Sequence, residues 1–400
     1  MPEARPKDFG DVGGSRRSPR EDWIRLALEI LFALLTVCAI AYYLLVLWAA
    51  RSFLRQSRPP ENFAPPVTLL KPVRGDDPEA FAAFESHCLL DYPEYEVIFG
   101  VWDPTDPAIA AVERLQRQFP ERPIRLVMCP QPLGANRKVS NLVQMLPHAR
   151  FQYLVVNDSD IRVAPDYLRK VMAPFCAPEV GVVTALYRGA PSSTLGSWLE
   201  SLGISADFIG GVLAARLLEG VHFALGSTMA IRADVLARIG GFEPLLDYLA
   251  DDYELGKRAA DAGFRVEIAD TVVDTHLPAY SWHGFLEHQM RWWRGIRDSR
   301  PAGYLGLALT FGLPWATLAV LAAGGAGWAW LLLLAALLAR YAMAQGVAGS
   351  VLNDPEYRRL SALVPFRDFV TLGIWLAAFA GHTVTWRGER FLLKDRKLYR

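Results

Sequence analysis

Long apolar runs flank a more polar middle region of this 400-residue chain. The first run, residues 30–50, contains no charged residue, and three arginines follow it within eight residues. About 20 apolar residues are enough to cross the hydrocarbon core of a bilayer. We therefore predict one transmembrane helix over residues 23–50, preceded by a disordered basic tail over residues 1–22. A cleaved signal peptide is disfavoured, because the run is too long and no small-residue cleavage site precedes Arg51.

A second apolar zone follows the middle region. We predict membrane helices between residues 301 and 385, at 305–323, 328–348 and 369–384. The last of these segments is short, so it could cross the bilayer, re-enter it or lie in the interface. The chain thus has one predicted membrane helix before the middle region and two to three after it. Residues 386–400 are predicted to be a basic tail.

Short apolar runs alternate with helical stretches between residues 60 and 300. The predicted strands are 66–73, 95–102, 124–129 and 151–157, and the predicted helices are 76–90, 107–119 and 138–146. Continuous apolar strands that alternate with helices are typical of an α/β fold, in which helices cover both faces of a mainly parallel sheet. Such sheets bind ligands at the carboxyl ends of their strands.

Charge and cysteine content exclude several classes of function. The 42 basic and 42 acidic side chains balance, so whole-protein charge gives no argument for a nucleic-acid partner, and we expect none. The four cysteines are scattered and form no CxxC pair. The sequence therefore indicates neither a zinc site nor a disulfide framework.

Two aspartates with one residue between them, Asp158 and Asp160, follow the predicted strand 151–157. Paired carboxylates at this place could form a turn or bind a metal ion, and on this stretch alone both interpretations stay open. Further clusters favour the metal ion. They are Asp103 and Asp106 after another strand, Asp251 and Asp252 at a helix start, and the stretch HQMRWWRGIR at 288–297.

Transfer of a sugar from a nucleotide diphosphate is a reaction that needs these groups together. A hard divalent cation held by carboxylate oxygens, Mg²⁺ or Mn²⁺, neutralises the leaving diphosphate. A separate carboxylate removes the proton from the attacking hydroxyl. Arginines hold phosphates through bidentate hydrogen bonds, so Arg294 is a candidate for binding the nucleotide sugar.

Several motifs resemble those of the glucosylceramide synthase family of membrane glycosyltransferases, including bacterial relatives linked to hopanoid lipids. They are LLKPVRG, LDYPEYEV, VWDPTDPAI, GANRKVSNL, VNDSDIRV, LADDYELGKR and TVTWRGERF, and they cover most of the chain. The resemblance implies a GT-A nucleotide-sugar domain, a Rossmann-like α/β fold, over residues 60–300 on a membrane anchor. It also implies inversion of the sugar's configuration and a pattern of three aspartates followed by [Q/R]xxRW.

The resemblance assigns roles to the acidic residues one by one. Asp106 would contact the nucleotide part of the donor. Asp158 would be the second aspartate of the pattern, and Asp160 would complete the site for the divalent cation. Asp252 would be the general base. Lys138, in NRKVSN, also matches the family and lies where a cation could reach the diphosphate.

The last motif differs from the family pattern at one position. Arg291 and Trp292 match its end and are expected to be catalytic. Its first position is His288 rather than Gln or Arg, and a histidine there can still donate a hydrogen bond to a phosphate or an acceptor. Asp251 is expected to serve a helix N-terminus, and His276 is expected to be structural rather than a third metal ligand.

These features predict a metal-dependent membrane hexosyltransferase that transfers a sugar from a UDP-sugar to a hydroxyl of a membrane lipid. The acceptor is expected to be a hopanoid polyol such as bacteriohopanetetrol, or ceramide. We expect a multi-pass protein of the bacterial inner membrane with its catalytic domain in the cytoplasm. Two alternatives are a processive polysaccharide synthase and a non-catalytic membrane scaffold that keeps the GT-A fold. Glu200 and Asp207 are expected to be surface groups on a helix that could touch the bilayer or the acceptor.

Overall fold

The computed structural model describes residues 19–75, 79–386 and 388–400, so most of the predicted N-terminal tail lies outside the described residues. Its helices are α1 (Pro19–Leu54), α2 (Ala80–Cys88), α3 (Ala108–Gln118), α4 (Arg137–Met145), α5 (Tyr167–Met172), α6 (Leu195–Leu202), α7 (Ile209–Leu218), α8 (Ala233–Arg238), α9 (Asp251–Asp261), α10 (Trp282–Ser299), α11 (Pro301–Gly306), α12 (Gly312–Ala322), α13 (Gly327–Ala344), α14 (Pro355–Leu360) and α15 (Val364–Ala377). Its strands are β1 (Val67–Val73), β2 (Tyr95–Val101), β3 (Ile124–Met128), β4 (Tyr153–Val156), β5 (Ile161–Arg162), β6 (Val180–Pro191), β7 (Met229–Arg232), β8 (Arg265–Leu277), β9 (Thr383–Trp386), β10 (Glu389–Lys394) and β11 (Lys397–Tyr399).

The described residues of the middle region form an eight-stranded sheet in the order β3-β2-β1-β4-β7-β6-β8-β5. The first four strands in this order are parallel, as predicted, and every residue of β1 and β2 is buried because helices cover both faces. The predicted strands and helices are each found to within a few residues. The other half of the sheet is mixed, since β7 runs antiparallel to both β4 and β6.

Four helices among the described residues are long and apolar enough to cross a membrane: Arg20–Leu54, Leu195–Leu218, Gly327–Val351 and Pro355–Ala377. A fifth candidate is the pair Pro301–Thr310 and Gly312–Ala322, which is bent by 54°. Leu195–Leu218 was not predicted as a membrane segment, and it is the most buried of the four. These helices surround one side of the mixed sheet.

Two C-terminal predictions differ from the structure. The apolar segment at 369–384 is helical only to Ala377, and the chain then turns at Gly381, which has a φ of +77°, a backbone conformation that favours glycine. The predicted basic tail instead contributes strands β10 and β11 to a three-stranded antiparallel sheet with β9, counting described residues only. Phe391 and Leu393 are buried in this sheet while Arg390, Leu392 and Lys394 are exposed, because side chains alternate along a strand.

Buried charges link the helices that are apolar enough to cross a membrane, which we call the membrane-type helices. Arg340 of α13 is 2% exposed, and its guanidinium donates to Asp368 of α15 at 2.8 Å and to Asp207 at 2.5 Å. Asp207 precedes α7, so this ion-pair cluster joins three segments that are distant in sequence. A charge out of water is stable only when it is paired. Asp207, which was expected to be a surface group, therefore forms an ion pair with the buried Arg340.

We predict that Arg340→Met lowers the free energy of unfolding by about 3–5 kcal/mol, because two carboxylates lose their buried counter-charge. Lys257→Met is the control: its exposed partner Asp261 lies one helical turn away, and such pairs contribute about 0–1 kcal/mol. Thermal unfolding of both purified variants in lipid nanodiscs measures the difference. Equal melting temperatures for the two variants would contradict the structural role of Arg340.

Candidate functional site

A cavity of about 960 Å³ begins at the carboxyl ends of β1 and β4 and reaches the membrane-type helices. Lys138, Asp158 and Asp252 line its polar end. Tyr43 of α1 and Phe311, between α11 and α12, line its other end. The polar end and the apolar end thus belong to one continuous space. Its position at the carboxyl ends of parallel strands is the one expected for a ligand site.

Lys138 bridges two acidic elements at the polar end. Its Nζ lies 2.7 Å from Asp158 Oδ1, at the end of β4, and 3.1 Å from Asp251 Oδ2, at the start of α9. The side chain of Asn136 caps α4 through Val139 N, which fixes the first turn that carries Lys138. Burial opposes the charged amine, but the carboxylates of Asp158, Asp251 and Asp252 raise the pKa of Lys138 above its ordinary value. Lys138 is therefore positively charged in this site.

Asp252 faces the same point as Asp158. A Cβ built on Gly226 would lie 3.0 Å from Asp158 Oδ2 and 3.2 Å from Asp252 Oδ2, so any side chain there would crowd both carboxylates. Gly226 N and Tyr253 N each donate to Asp252 at 2.7 Å. The approach of α9 requires a second glycine, because a Cβ on Gly256 would meet the backbone of Ala224 at 2.3 Å.

The two adjacent aspartates of α9 differ in environment. Burial, followed by the charge of Asp251, raises the pKa of Asp252 to about 6, although Lys138 acts in the opposite direction. Asp251 is 6% exposed and is held by Lys138 and by Asn136 Nδ2, which donates at 3.3 Å. It lies in the first turn of α9, the position expected for a charge that serves a helix N-terminus. A carboxylate with a pKa near neutrality suits proton acceptance.

Asp158 and Asp160 both line the cavity and fit a hard divalent cation, since carboxylate oxygens are the preferred ligands of Mg²⁺ and Mn²⁺. Thr275 Oγ1 donates to Asp160 Oδ2 at 2.5 Å and orients it. Within residues 19–75, 79–386 and 388–400, no group of three or more His, Cys, Asp or Glu is arranged to hold a metal ion. His276 therefore does not complete a three-residue cage, although its backbone N–H donates to Asp160 O at 3.2 Å.

Lys71, for which the sequence suggested no role, lies directly beneath the acidic turn. It is fully buried in β1, and its Nζ donates to the carbonyl of Asp158 at 3.0 Å and lies 3.4 Å from His87 Nε2. Burial lowers the pKa of Lys71 to about 7, against the opposing charges of Asp160 and Asp158. A lysine inside the otherwise apolar strand VTLLKPV was the signal that could have identified it.

Helix α10 places three predicted site residues on the cavity wall. His288 stacks on Tyr280 at a centroid distance of 5.3 Å, and Trp292 packs against His288 at 5.6 Å and Phe208 at 5.7 Å. Arg291 lies 5.8 Å above the Trp386 ring, so β9 also reaches the site. Spacings of three and four residues put these side chains on one face of the helix.

Glu200 is buried rather than exposed, which corrects the expectation of a surface group. It is 1% exposed, lies 3.2 Å from His288 Nδ1, and accepts a hydrogen bond from Gln289 Nε2 at 2.5 Å. Tyr187 of β6 lines the same cavity. Burial raises the pKa of Tyr187 well above its ordinary value, and the charges of Asp252, Glu200, Asp158 and Asp160 add to that effect. No local sequence pattern marks Glu200, because its partners lie about 90 residues away.

Two predicted donor-binding residues lie outside the cavity lining. Arg294 donates to the main-chain carbonyls of Ala380, at 2.8 Å, and Thr383, so it anchors β9 to α10. Asp106 is 9% exposed and accepts hydrogen bonds from Gly75 N at 2.9 Å and Ala108 N at 2.9 Å. Both side chains therefore hold backbone that borders the site, and the geometry does not bring either into contact with the cavity.

Comparisons with known proteins agree with this architecture. Residues 31–398 match the protein family described as Glycosyl transferase family 21. Ceramide glucosyltransferase 3 of Caenorhabditis elegans is 21% identical over 282 residues, which are 70% of this chain and 61% of that protein. The ceramide glucosyltransferase of Komagataella phaffii is 30% identical over 150 residues, which are 34% of this chain and 30% of that protein. The matched regions thus span less than two thirds of these relatives' length.

A mannosyltransferase of Pyrobaculum calidifontis, solved with GDP-Man and Mn²⁺, has a similar fold. It aligns with 88% of this chain and 97% of its own, with a TM-score of 0.54 and 21% sequence identity. This likeness concerns the fold, and it confirms the predicted GT-A architecture of the α/β domain. Together with the match over residues 31–398, it leads to one conclusion: the chain belongs to glycosyl transferase family 21.

Proposed function

We propose that this protein is a metal-dependent membrane glycosyltransferase that moves a sugar from a nucleoside diphosphate sugar to a hydroxyl of a membrane lipid, with inversion. The observation that carries the proposal is the continuous cavity, whose carboxylates lie at one end and whose other end lies between membrane-type helices. Only a reaction between a polar donor and a membrane-borne acceptor needs both ends in one space. The relatives named ceramide glucosyltransferase support the same chemistry.

The polar end suits the donor. Asp158 and Asp160 are the candidates to hold the cation, and a divalent cation bound there neutralises the charge that develops on the departing diphosphate. Lys138 adds a fixed positive charge beside Asp158, and Arg291 supplies a guanidinium on the opposite wall of the cavity. Trp292 packs against His288 and closes this wall to water.

Asp252 is the proposed general base. Its carboxylate is held by two backbone N–H groups, and its raised pKa makes it a better proton acceptor than an ordinary aspartate at neutral pH. The acceptor hydroxyl would give its proton to Asp252 while its oxygen forms the bond to the sugar. Because acceptor and leaving group lie on opposite sides of that carbon, one displacement inverts it.

We further propose a UDP-sugar as the donor, and ceramide or a hopanoid polyol such as bacteriohopanetetrol as the acceptor. The bacterial inner membrane, with the catalytic domain in the cytoplasm, is the proposed location, since nucleotide sugars are supplied there. A product with one sugar per lipid, seen by mass spectrometry after reaction with UDP-glucose and ceramide or bacteriohopanetetrol in nanodiscs, tests this function. A growing polymer, or no reaction with either lipid, would contradict it.

We predict that Asp252→Asn lowers turnover by at least about 100-fold, because the amide keeps the shape of the side chain but cannot accept a proton. Binding of UDP, measured by calorimetry, should stay close to that of the unaltered protein. Asp251→Asn is the matched control, since it removes a neighbouring charge that is held by Lys138 and Asn136. If the Asp251→Asn protein were inactive and the Asp252→Asn protein active, Asp252 would not be the general base.

We predict that kcat/KM falls about tenfold per pH unit on an acid limb set by Asp252, because only the deprotonated carboxylate accepts a proton. Its pKa of about 6 is raised in part by Asp251. Asp251→Asn removes that negative charge and should therefore move the limb to lower pH. A bound cation acts on Asp252 in both proteins, so the difference between the two pH profiles is diagnostic. A limb that stays in place or moves to higher pH would exclude Asp252.

We predict that removing the cation with EDTA abolishes transfer but leaves the protein folded, because Lys138 pairs with Asp158 and Asp251 in the protein alone. Asp160→Asn should lower turnover by about 100-fold or more at saturating Mn²⁺. Asp103→Asn is the control, since Asp103 is an exposed turn residue that accepts from Thr105 at 2.8 Å. Activity in excess EDTA would show that the paired aspartates form only a turn.

A further inference from the structure

His288 occupies the position where the sequence pattern of the family has Gln or Arg, and the structure gives it a buried partner. Glu200 Oε1 lies 3.2 Å from His288 Nδ1. An ionised carboxylate has no proton to donate, so Nδ1 must carry the hydrogen. In the neutral imidazole, Nε2 is then a hydrogen-bond acceptor.

The acceptor nitrogen faces the cavity. Nδ1 is buried and lies 3.2 Å from Glu200 Oε1, an ion-pair contact that is not aligned as a hydrogen bond, whereas the His288 side chain is 20% exposed and lines the cavity, so its accessible edge is the one that bears Nε2. Tyr280 and Trp292 pack against the ring at 5.3 Å and 5.6 Å and hold its plane. The plane and direction of the imidazole are therefore fixed, and the carboxylate beside Nδ1 favours a proton on that nitrogen.

A second layer of side chains fixes Glu200 itself. Gln289 Nε2 donates to Glu200 Oε2 at 2.5 Å, and Gln289 Oε1 accepts from Arg367 at 3.1 Å and Trp293 Nε1 at 3.4 Å. Gln289, Glu200 and Arg367 are each less than 5% exposed. Every one of these hydrogen bonds has a defined direction, and together they hold the Glu200 carboxylate beside Nδ1 of His288.

This pair lies on the membrane side of the cavity. Glu200 belongs to Leu195–Leu218 and Arg367 belongs to Pro355–Ala377, two of the helices that are apolar enough to cross a membrane. Tyr187, which lines the same cavity, is close enough to Asp252 and Glu200 for both charges to act on it, so the pair and the proposed base share one space. A lipid whose hydroxyl reaches Asp252 would thus pass His288.

We propose that Glu200 and His288 form a specificity pair, in which Glu200 is the positioning residue and His288 Nε2 accepts a hydrogen bond from a second donor group on the lipid acceptor. The pair would select lipids that carry a hydroxyl or amide N–H besides the reacting hydroxyl. Ceramide and polyol lipids have such a group, and diacylglycerol does not. This inference rests on the proposed function and replaces the donor-binding role predicted for His288.

Glu200→Gln tests the pair because it reverses the tautomer. The new amide has one oxygen, which accepts the hydrogen bond from Gln289 Nε2. Its NH₂ group therefore faces His288 Nδ1. The proton then has to move to Nε2, and the cavity-facing nitrogen changes from acceptor to donor. The KM for ceramide should rise about tenfold, the value of one hydrogen bond at the upper end of the usual range. The KM for UDP-glucose should change less than about twofold, since the donor end keeps all of its groups.

The double variant Glu200→Gln with Gln289→Glu should restore the KM for ceramide. The carboxylate introduced at position 289 would accept from the new NH₂ group at position 200, and the amide oxygen would again face His288. Arg367 and Trp293 would keep an acceptor on the side chain at position 289. A purely structural role for Glu200 predicts no such rescue. The assay uses full-length protein in nanodiscs with UDP-glucose and either ceramide, bacteriohopanetetrol or diacylglycerol.

The outcomes separate this inference from the proposed function. If the unaltered protein transfers sugar to none of the three lipids, the proposed function fails. If it transfers to ceramide or bacteriohopanetetrol, the inference is overturned by equal use of diacylglycerol, by a Glu200→Gln protein whose two KM values are unchanged or rise together, or by a double variant that melts normally without rescue. Loss and rescue confined to the KM of the lipid with the second donor group would support the pair.

Discussion

The ammonium group of Lys138 lies between Asp158 and Asp251, two carboxylates that the chain brings together from opposite halves of the sheet. Without that charge, the carboxylate that follows β4 and the carboxylate that begins α9 would repel each other. That repulsion would move Asp252 away from Gly226. The same arrangement needs backbone without side chains at Gly226 and Gly256, where α9 approaches most closely. Charge balance and close packing at this point therefore determine the geometry of the whole polar end.

The sequence predicted the parallel half of the sheet well, because its strands are continuous apolar runs bounded by helices with clear polar faces. It also identified the acidic turn, since a single residue separates Asp158 from Asp160 in the sequence. It could not identify Glu200, whose partners His288 and Gln289 come from a distant helix. Arg294 shows a different limit: a motif can predict a cationic residue, but only the fold decides whether its guanidinium faces a ligand or a backbone carbonyl.

Polar contacts continue from the cavity wall into the membrane-type helices. Gln289 contacts Arg367, Arg367 lies 4.0 Å from Asp207, and Asp207 pairs with Arg340. Each link alone is a weak argument for stability, because desolvation offsets much of the attraction between buried charges. These contacts contribute mainly to the relative position of the helices. A chain of directional polar contacts allows far fewer relative positions of α10, α13 and α15 than apolar packing would. The wall that carries His288 is thus tied to the helices that would lie in the bilayer.

The cavity that joins the carboxylates to Tyr43 and Phe311 also bears on how this protein is handled outside the cell. A space shaped for a lipid with a polar head offers the same apolar surface to a single-chain detergent with a hydroxylated head. Alkyl glucosides and maltosides combine both features, so they resemble product as well as acceptor. Solubilised protein would then carry its own competitive inhibitor at millimolar concentration, and rates measured in micelles would understate those in a bilayer.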